Sequence, residues 1–152
     1  MPGMAERRRP TDSQEVRRTT GSNEVLDRLF VYSTLRTGQT ARSLITNQVA
    51  RCVPAAMPGA IYAFPMGYAG LVEAEPPCRV IGEVLWLTDL AATFGLLDAY
   101  EGDDFARVIK QVELESGEAL WAWVYMLADP DMARHGTRIE HGDWERYVRD
   151  QR

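Results

Sequence analysis

The chain has 152 residues, which is enough for one domain with its own core. Its composition is that of an ordinary globular protein, with 45% hydrophobic and 26% charged residues. A net charge of −5 leaves no basic face for phosphates, which argues against a nucleic-acid or anionic-membrane partner.

Residues 1 to about 24 mix Arg and Glu with almost no large apolar residue, and are expected to form a disordered tail ahead of a single domain over 25–152. Arg7-Arg8-Arg9-Pro10 superficially resembles a twin-arginine signal, but Thr11-Asp12-Ser13-Gln14-Glu15 follows instead of an apolar segment. No apolar run reaches the length needed to span a bilayer. Cys52 and Cys78 lack metal-type spacing and read as reduced thiols, so a cytoplasmic location is expected.

Leu29-Phe30-Val31-Tyr32 is apolar and partly β-branched, as a buried strand requires. It breaks into Ser33-Thr34-Leu35-Arg36-Thr37-Gly38, a polar loop whose backbone N–H groups a ligand can use. Gln39 to Ile45 suits a short helical turn. Val49–Val53 and Ala60–Phe64 read as two short strands parted by the turn signal Met57-Pro58-Gly59. Phe64 to Gly70 reads as a loop, and Leu71 to Ala74 as a brief strand ended by Pro76-Pro77. Val80 to Leu87 is a central strand in which Gly82 marks a bulge or a close approach by another backbone.

Thr88-Asp89 supplies an N-cap for a helix over Leu90–Glu101. Two strands follow, Phe105–Glu115 and Ala119–Leu127, joined by Ser116-Gly117. In the second, Trp121, Trp123 and Tyr125 share one face, while Ala122, Val124 and Met126 share the other. Both faces are apolar, as in a strand inside a closed or covered sheet. Asp129-Pro130 is a turn, and Gly142-Asp143-Trp144 opens a last helix. Mostly strands around one central helix indicate an α+β domain built on a small, strongly curved mixed sheet or barrel.

On the helix, Leu90, Phe94, Leu97 and Glu101 fall within about 60° of one another at 100° per residue. Glu101 therefore either points with the leucines, where burial would raise its pKa toward that of a base working near neutrality, or sits in solvent at a frayed end capped by Gly102. Asp98, Asp103 and Asp104 lie off that face and are expected to be solvated.

Four short motifs then stand in register: Val31-Tyr32-Ser33-Thr34-Leu35, Gly82-Glu83-Val84-Leu85, Leu97-Asp98-Ala99-Tyr100-Glu101-Gly102 with Phe105-Ala106-Arg107, and Gly142-Asp143-Trp144. Together they resemble the γ-glutamylcyclotransferase-like (AIG2-like) family over residues 29 to about 147. The resemblance implies a compact mixed β-barrel with surrounding helices and a cavity for a small-molecule γ-glutamyl substrate. It implies release of 5-oxoproline by attack of the substrate's own α-amine on its γ-carbonyl, with no cofactor and no metal. Glu101 takes the place of the family's general base, and Tyr32, Ser33, Thr34 and Leu35 that of its substrate loop. Tyr125 is a further candidate for the pocket wall, and Arg107 for a structural ion pair.

Two positions depart from the family pattern. Ser33 replaces a Gly, which would cost energy if the site needs positive φ or close backbone approach. Phe105 replaces a Tyr and loses a hydroxyl. The rival reading is a catalytically silent member of the same fold that binds a small metabolite or a protein. Amide hydrolysis in the same pocket, a Cys52 thiol paired with His135 or His141, and a metal site of His135, His141 and Asp143 are weaker alternatives.

Overall fold

The computed structural model describes residues 26–151, and the expected tail over 1–24 lies outside the described residues. In chain order the elements are β1 (Arg28–Val31), β2 (Val49–Phe64), β3 (Tyr68–Val72), β4 (Cys78–Leu87), α1 (Leu90–Glu101), β5 (Phe105–Leu114), β6 (Ala119–Leu127), β7 (Thr137–Arg138) and α2 (Trp144–Asp150). Short 3₁₀ turns lie at Arg42–Leu44, Thr46–Gln48 and Pro130–His135.

Five strands close on themselves in the order β2-β4-β1-β6-β5 and back to β2, the last contact made through Ala55↔Leu114 and Ala56↔Glu113. The barrel is mixed, because β1 runs parallel to β6 (Leu29↔Trp123, Phe30↔Val124) and antiparallel to β4. The period of two decides where each side chain goes. Phe30, Ala122, Val124 and Met126 fill the barrel together with Ile61 and Leu71. Leu29, Val31, Trp123 and Tyr125 point outward, under the Phe94–Leu97 face of α1. The two apolar faces of β6 thus serve two layers of core. Burying a side chain of this size contributes about 1.5–3 kcal/mol.

Gly82 has the close approach its sequence context predicts. A Cβ there would overlap the carbonyl oxygen of Val31 and the Phe30 ring, so β1 can lie against β4 only with glycine at this position.

Three local expectations differ from the structure. Val49–Val53 and Ala60–Phe64 are one strand of 16 residues, with no turn at Met57-Pro58-Gly59. The Pro54 carbonyl accepts the Glu115 amide on the β5 side, so the Pro54 ring nitrogen also faces away from the β4 ladder. Register with β4 is regular from Arg51 to Gly59, which turns Pro58 the same way, past the end of the β5 pairing. Neither proline removes a ladder bond to β4, and the strand runs on to pair with β3 and β7 outside the barrel.

The expected loop over Phe64–Gly70 shrinks to a tight turn. The Gly67 amide donates to the Phe64 carbonyl, and Tyr68 already pairs with Phe64. Asp89 stands at the N-cap of α1 in the left-handed region (φ 49°), and its side chain caps nothing. Its carbonyl accepts the Thr93 amide, and the Thr93 hydroxyl donates to the Thr88 carbonyl at 2.9 Å. No helix among the described residues is long and apolar enough to cross a membrane.

Candidate active site

Where β1 ends, the loop after Val31 turns over the barrel mouth and meets the C-terminal end of α1. Between them lies a cavity of about 230 Å³. Tyr32, Ser33, Thr34 and Leu35 form one wall, and Tyr100, Glu101 and Asp104 another. Tyr68, Phe105 and Tyr125 come from β3, β5 and β6 to complete it. All the residues singled out from the sequence for the site (Glu101, residues 32–35 and Tyr125) line this one cavity.

The loop is held on its C-terminal side by the other motifs. Arg36, buried, donates to Asp143 at 2.8 Å, and Asp143 also caps α2 by accepting the amides of Glu145 and Arg146. Trp144 donates its indole N–H to the Gln39 side chain at 3.2 Å. One residue further on, Glu83 accepts the Thr37 amide at 3.0 Å and the Arg42 guanidinium at 3.1 Å. Gly82-Glu83 and Asp143-Trp144 are therefore the anchors of the loop, which explains why motifs so far apart in the chain serve one site.

Within the loop, Tyr32 turns its ring into the barrel. Its hydroxyl donates to the Tyr125 carbonyl at 2.7 Å and accepts the Leu71 amide at 3.2 Å. Burial, then the charge of Glu101, hold this phenol well above its ordinary pKa, so it stays neutral. Thr34 shares a 3.0 Å hydrogen bond with the Tyr100 hydroxyl, tying the loop to α1. The Arg36 amide folds back onto the Ser33 carbonyl, whereas the Thr34 and Leu35 amides meet no protein acceptor among the described residues. Two adjacent backbone donors at a cavity wall can hold a carboxylate or an oxyanion.

Glu101 is the last residue of α1 and is half-buried. Burial, and then the negative charge of Asp98 one turn earlier, push its carboxyl up to about 7. Gly102 ends the helix with φ 73° and returns its amide to the Asp98 carbonyl, which fixes Glu101 at the cavity end of the helix.

Asp98 is exposed, as expected, yet it is not idle. It accepts the Tyr125 hydroxyl at 2.6 Å and both Nε and Nη2 of Arg107, at 3.1 and 3.3 Å. Asp104 lies on the cavity wall while remaining exposed. Arg107 makes the expected ion pair, its guanidinium stacked on Phe94 and Trp123 with ring centroids 4.1 and 4.6 Å away.

The sequence matches the family described as gamma-glutamyl cyclotransferase, AIG2-like, over residues 29–146. The chain belongs to this family. Its fold recurs in crystal structures of YkqA from Bacillus subtilis (TM-score 0.66, 21% identity over 84% of this chain) and of c4763, a protein specific to uropathogenic E. coli (TM-score 0.62, 18% identity). This chain spans 44% of YkqA, and 82% of it aligns with 97% of c4763. An AIG2-like protein from Mus musculus is similar as well, with TM-score 0.55 and 22% identity over 71% of this chain and 82% of the mouse protein. No curated protein matches the sequence.

For a member of the AIG2-like family, Ser33 is the informative departure. It does not adopt positive φ, the one such non-glycine residue among those described being Asp89. Its buried hydroxyl accepts the Ala69 amide at 3.0 Å and pins the loop to β3. Ser33→Ala would strand that amide, at a cost of about 1–3 kcal/mol. Urea unfolding is expected to show a lower midpoint at unchanged slope. Phe105, the other departure, packs edge-on to Tyr68 with centroids 5.9 Å apart, so an aromatic contact occupies that wall.

Tyr68 and Tyr100 were not singled out from the sequence, because a strand start and a helix's exposed face carry no local mark of a distant cavity. The weaker candidates are scattered. Cys52 is exposed and donates to Glu83 at 3.5 Å, His135 accepts from Arg134, and His141 accepts the Asp143 amide. No group of three His, Cys, Asp or Glu able to hold a metal occurs among the described residues.

Proposed function

We propose that this chain releases 5-oxoproline from a γ-glutamyl amide, with Glu101 as general acid and base. The observation that carries the reading is Glu101 itself. It is a half-buried carboxylate whose pKa lies near 7, on the wall of a cavity also lined by Thr34 and Leu35, whose amides meet no protein acceptor among the described residues. A γ-glutamyl head group carries its own nucleophile, but as an ammonium it cannot attack. Glu101 takes one proton from the α-nitrogen, and the freed amine attacks the γ-carbonyl. The new C–N bond closes a five-membered ring, and the carbonyl oxygen becomes an oxyanion within reach of the Thr34 and Leu35 amides. Glu101 returns its proton to the departing nitrogen and the old C–N bond breaks. The second proton of the ring nitrogen then passes through the re-formed Glu101 carboxylate to the released amine, so that neutral-lactam 5-oxoproline and an ammonium leave. Nucleophile and electrophile share one chain, so holding that chain folded supplies the proximity effect.

The test is release of 5-oxoproline from a panel of γ-glutamyl amino acids, peptides and amines. At saturating and at limiting substrate, the rate is expected to rise with pH and level off above about 7, because only the ionised Glu101 can accept a proton. Silence across the panel would overturn the reading in favour of a binding protein. Cys52 and Cys78 both stand unpaired, which fits a reducing compartment such as the cytoplasm.

A further inference from the structure

The proposed mechanism makes no use of the best-connected group beside Glu101. Asp98 sits one helical turn before it and receives three charged or polar hydrogen bonds from two strands. Tyr125, on β6, gives Asp98 its proton at 2.6 Å. A phenol that lines the cavity with its proton so engaged can offer the cavity only lone pairs. It is then an acceptor for an ammonium group and no donor to a carbonyl. Arg107, on β5, spends both Nε and Nη2 on the same carboxylate, and its guanidinium is fixed by the Phe94 and Trp123 rings. A charge held this firmly does not swing away when a ligand enters.

We propose that Asp98, clamped between Arg107 and Tyr125, is the positioning residue that sets the charge and the hydrogen-bond polarity of the cavity wall beside Glu101. The inference rests on the reading of Glu101 as the base and adds what keeps that base strong. A second carboxylate one turn away disfavours a further negative charge and so holds Glu101 ready to take a proton near neutrality. The phenol oxygen, turned by the same carboxylate, steers the ammonium toward it.

The other groups around Glu101 cannot replace this effect. Tyr32 from the loop, Tyr68 from β3 and Tyr125 from β6 are phenols held above their ordinary pKa by burial first, and are neutral when Glu101 titrates. Tyr100, the preceding residue of α1, is bonded to Thr34. Asp104, on the α1–β5 connection, is exposed like Asp98, but among the described residues no side-chain hydrogen bond fixes its carboxylate as Arg107 and Tyr125 fix that of Asp98. Arg107 is the one cation among these residues, and its Nε and Nη2 are both engaged by Asp98.

The experiment compares Asp98→Asn and Arg107→Gln with wild type. Asn keeps an oxygen for the Tyr125 proton and removes the charge alone. Titration of the Glu101 carboxyl carbon by NMR is expected to move to lower pH by about half a unit in D98N, from two charges one turn apart near a surface, and to higher pH in R107Q. In the 5-oxoproline assay the acid limb is expected to follow, while the D98N plateau falls several-fold because its base is weaker. A merely structural role would lower the plateau and leave the limb in place, and it could not give opposite signs in the two variants. An unchanged Glu101 midpoint in both variants, or displacement in the same direction in both, would overturn the proposal. Should D98N not fold, the alkaline displacement in R107Q decides alone. Because the titration needs no turnover, absence of 5-oxoproline release would count against the proposed function without touching this result.

Discussion

Glu101→Gln is expected to cut 5-oxoproline release by about 10²–10⁴-fold, the range spanned by loss of a positioned general base. Glutamine fills the same space and keeps a carbonyl oxygen on the cavity wall, so KM should move little and the loss should fall on kcat. The same variant carries a stability prediction of opposite sense. The folded carboxyl titrates near 7, above the ordinary value of 4.5, so between those pH values the folded state binds more protons than the unfolded one. Stability supplied by this group is complete below about pH 4.5 and is lost as pH rises through 7, by at most about 3 kcal/mol. Glutamine has no such dependence. E101Q should therefore gain on wild type from pH 5 to pH 8 in urea unfolding, while its catalysis disappears. Release within tenfold of wild type would remove Glu101 as the base. Equal stability profiles would show that its carboxyl is not desolvated.

How much of this could be read in advance depended on how far each signal travels along the chain. The helix over Leu90–Glu101 and the two-faced pattern of β6 are local periodicities, and both stand in the structure as read. Gly82 was legible because a glycine inside an apolar strand marks a bulge or a close approach, and here the Val31 carbonyl makes the approach. The unbroken course of β2 was hidden because a proline is tolerated or not according to which neighbour its nitrogen faces, and only the register with β4 and β5 settles that. Asp98 is exposed as read, but the bonds it makes were hidden for a similar reason. It lies off the apolar face of its own helix, and its partners Arg107 and Tyr125 arrive from other elements. Ser33 looked like a defect in a glycine motif, yet its hydroxyl has a buried partner in Ala69 that no local pattern announces.

Asp143→Ala is expected to be the most destabilising of the conservative-sized changes near the site, by about 3–5 kcal/mol. Two losses combine. Asp143 caps α2 through the amides of Glu145 and Arg146, and such caps contribute about 0.5–2 kcal/mol. Its removal also leaves Arg36 buried, with the more exposed Glu145 at 3.8 Å as its remaining carboxylate. An uncompensated buried guanidinium costs more than the ion pair ever contributed, so the loop should leave its place to hydrate Arg36. Arg36 closes the stretch 32–35, so activity should fall with stability even though Asp143 does not line the cavity. The pH dependence carries a signature. Burial alone would raise the Asp143 carboxyl, but Arg36 and the helix amides outweigh it and hold the group below its usual range. Its contribution is thus present above the ordinary value of 3.8 and is lost as pH falls through the folded pKa. The gap between variant and wild type in urea unfolding should be full at pH 6 and shrink below pH 3.8. Arg36→Met with Asp143→Ala in one chain should recover part of the loss, since it removes the stranded charge. A double variant no better than D143A would mean that the cap, and not the buried pair, holds the loop in place.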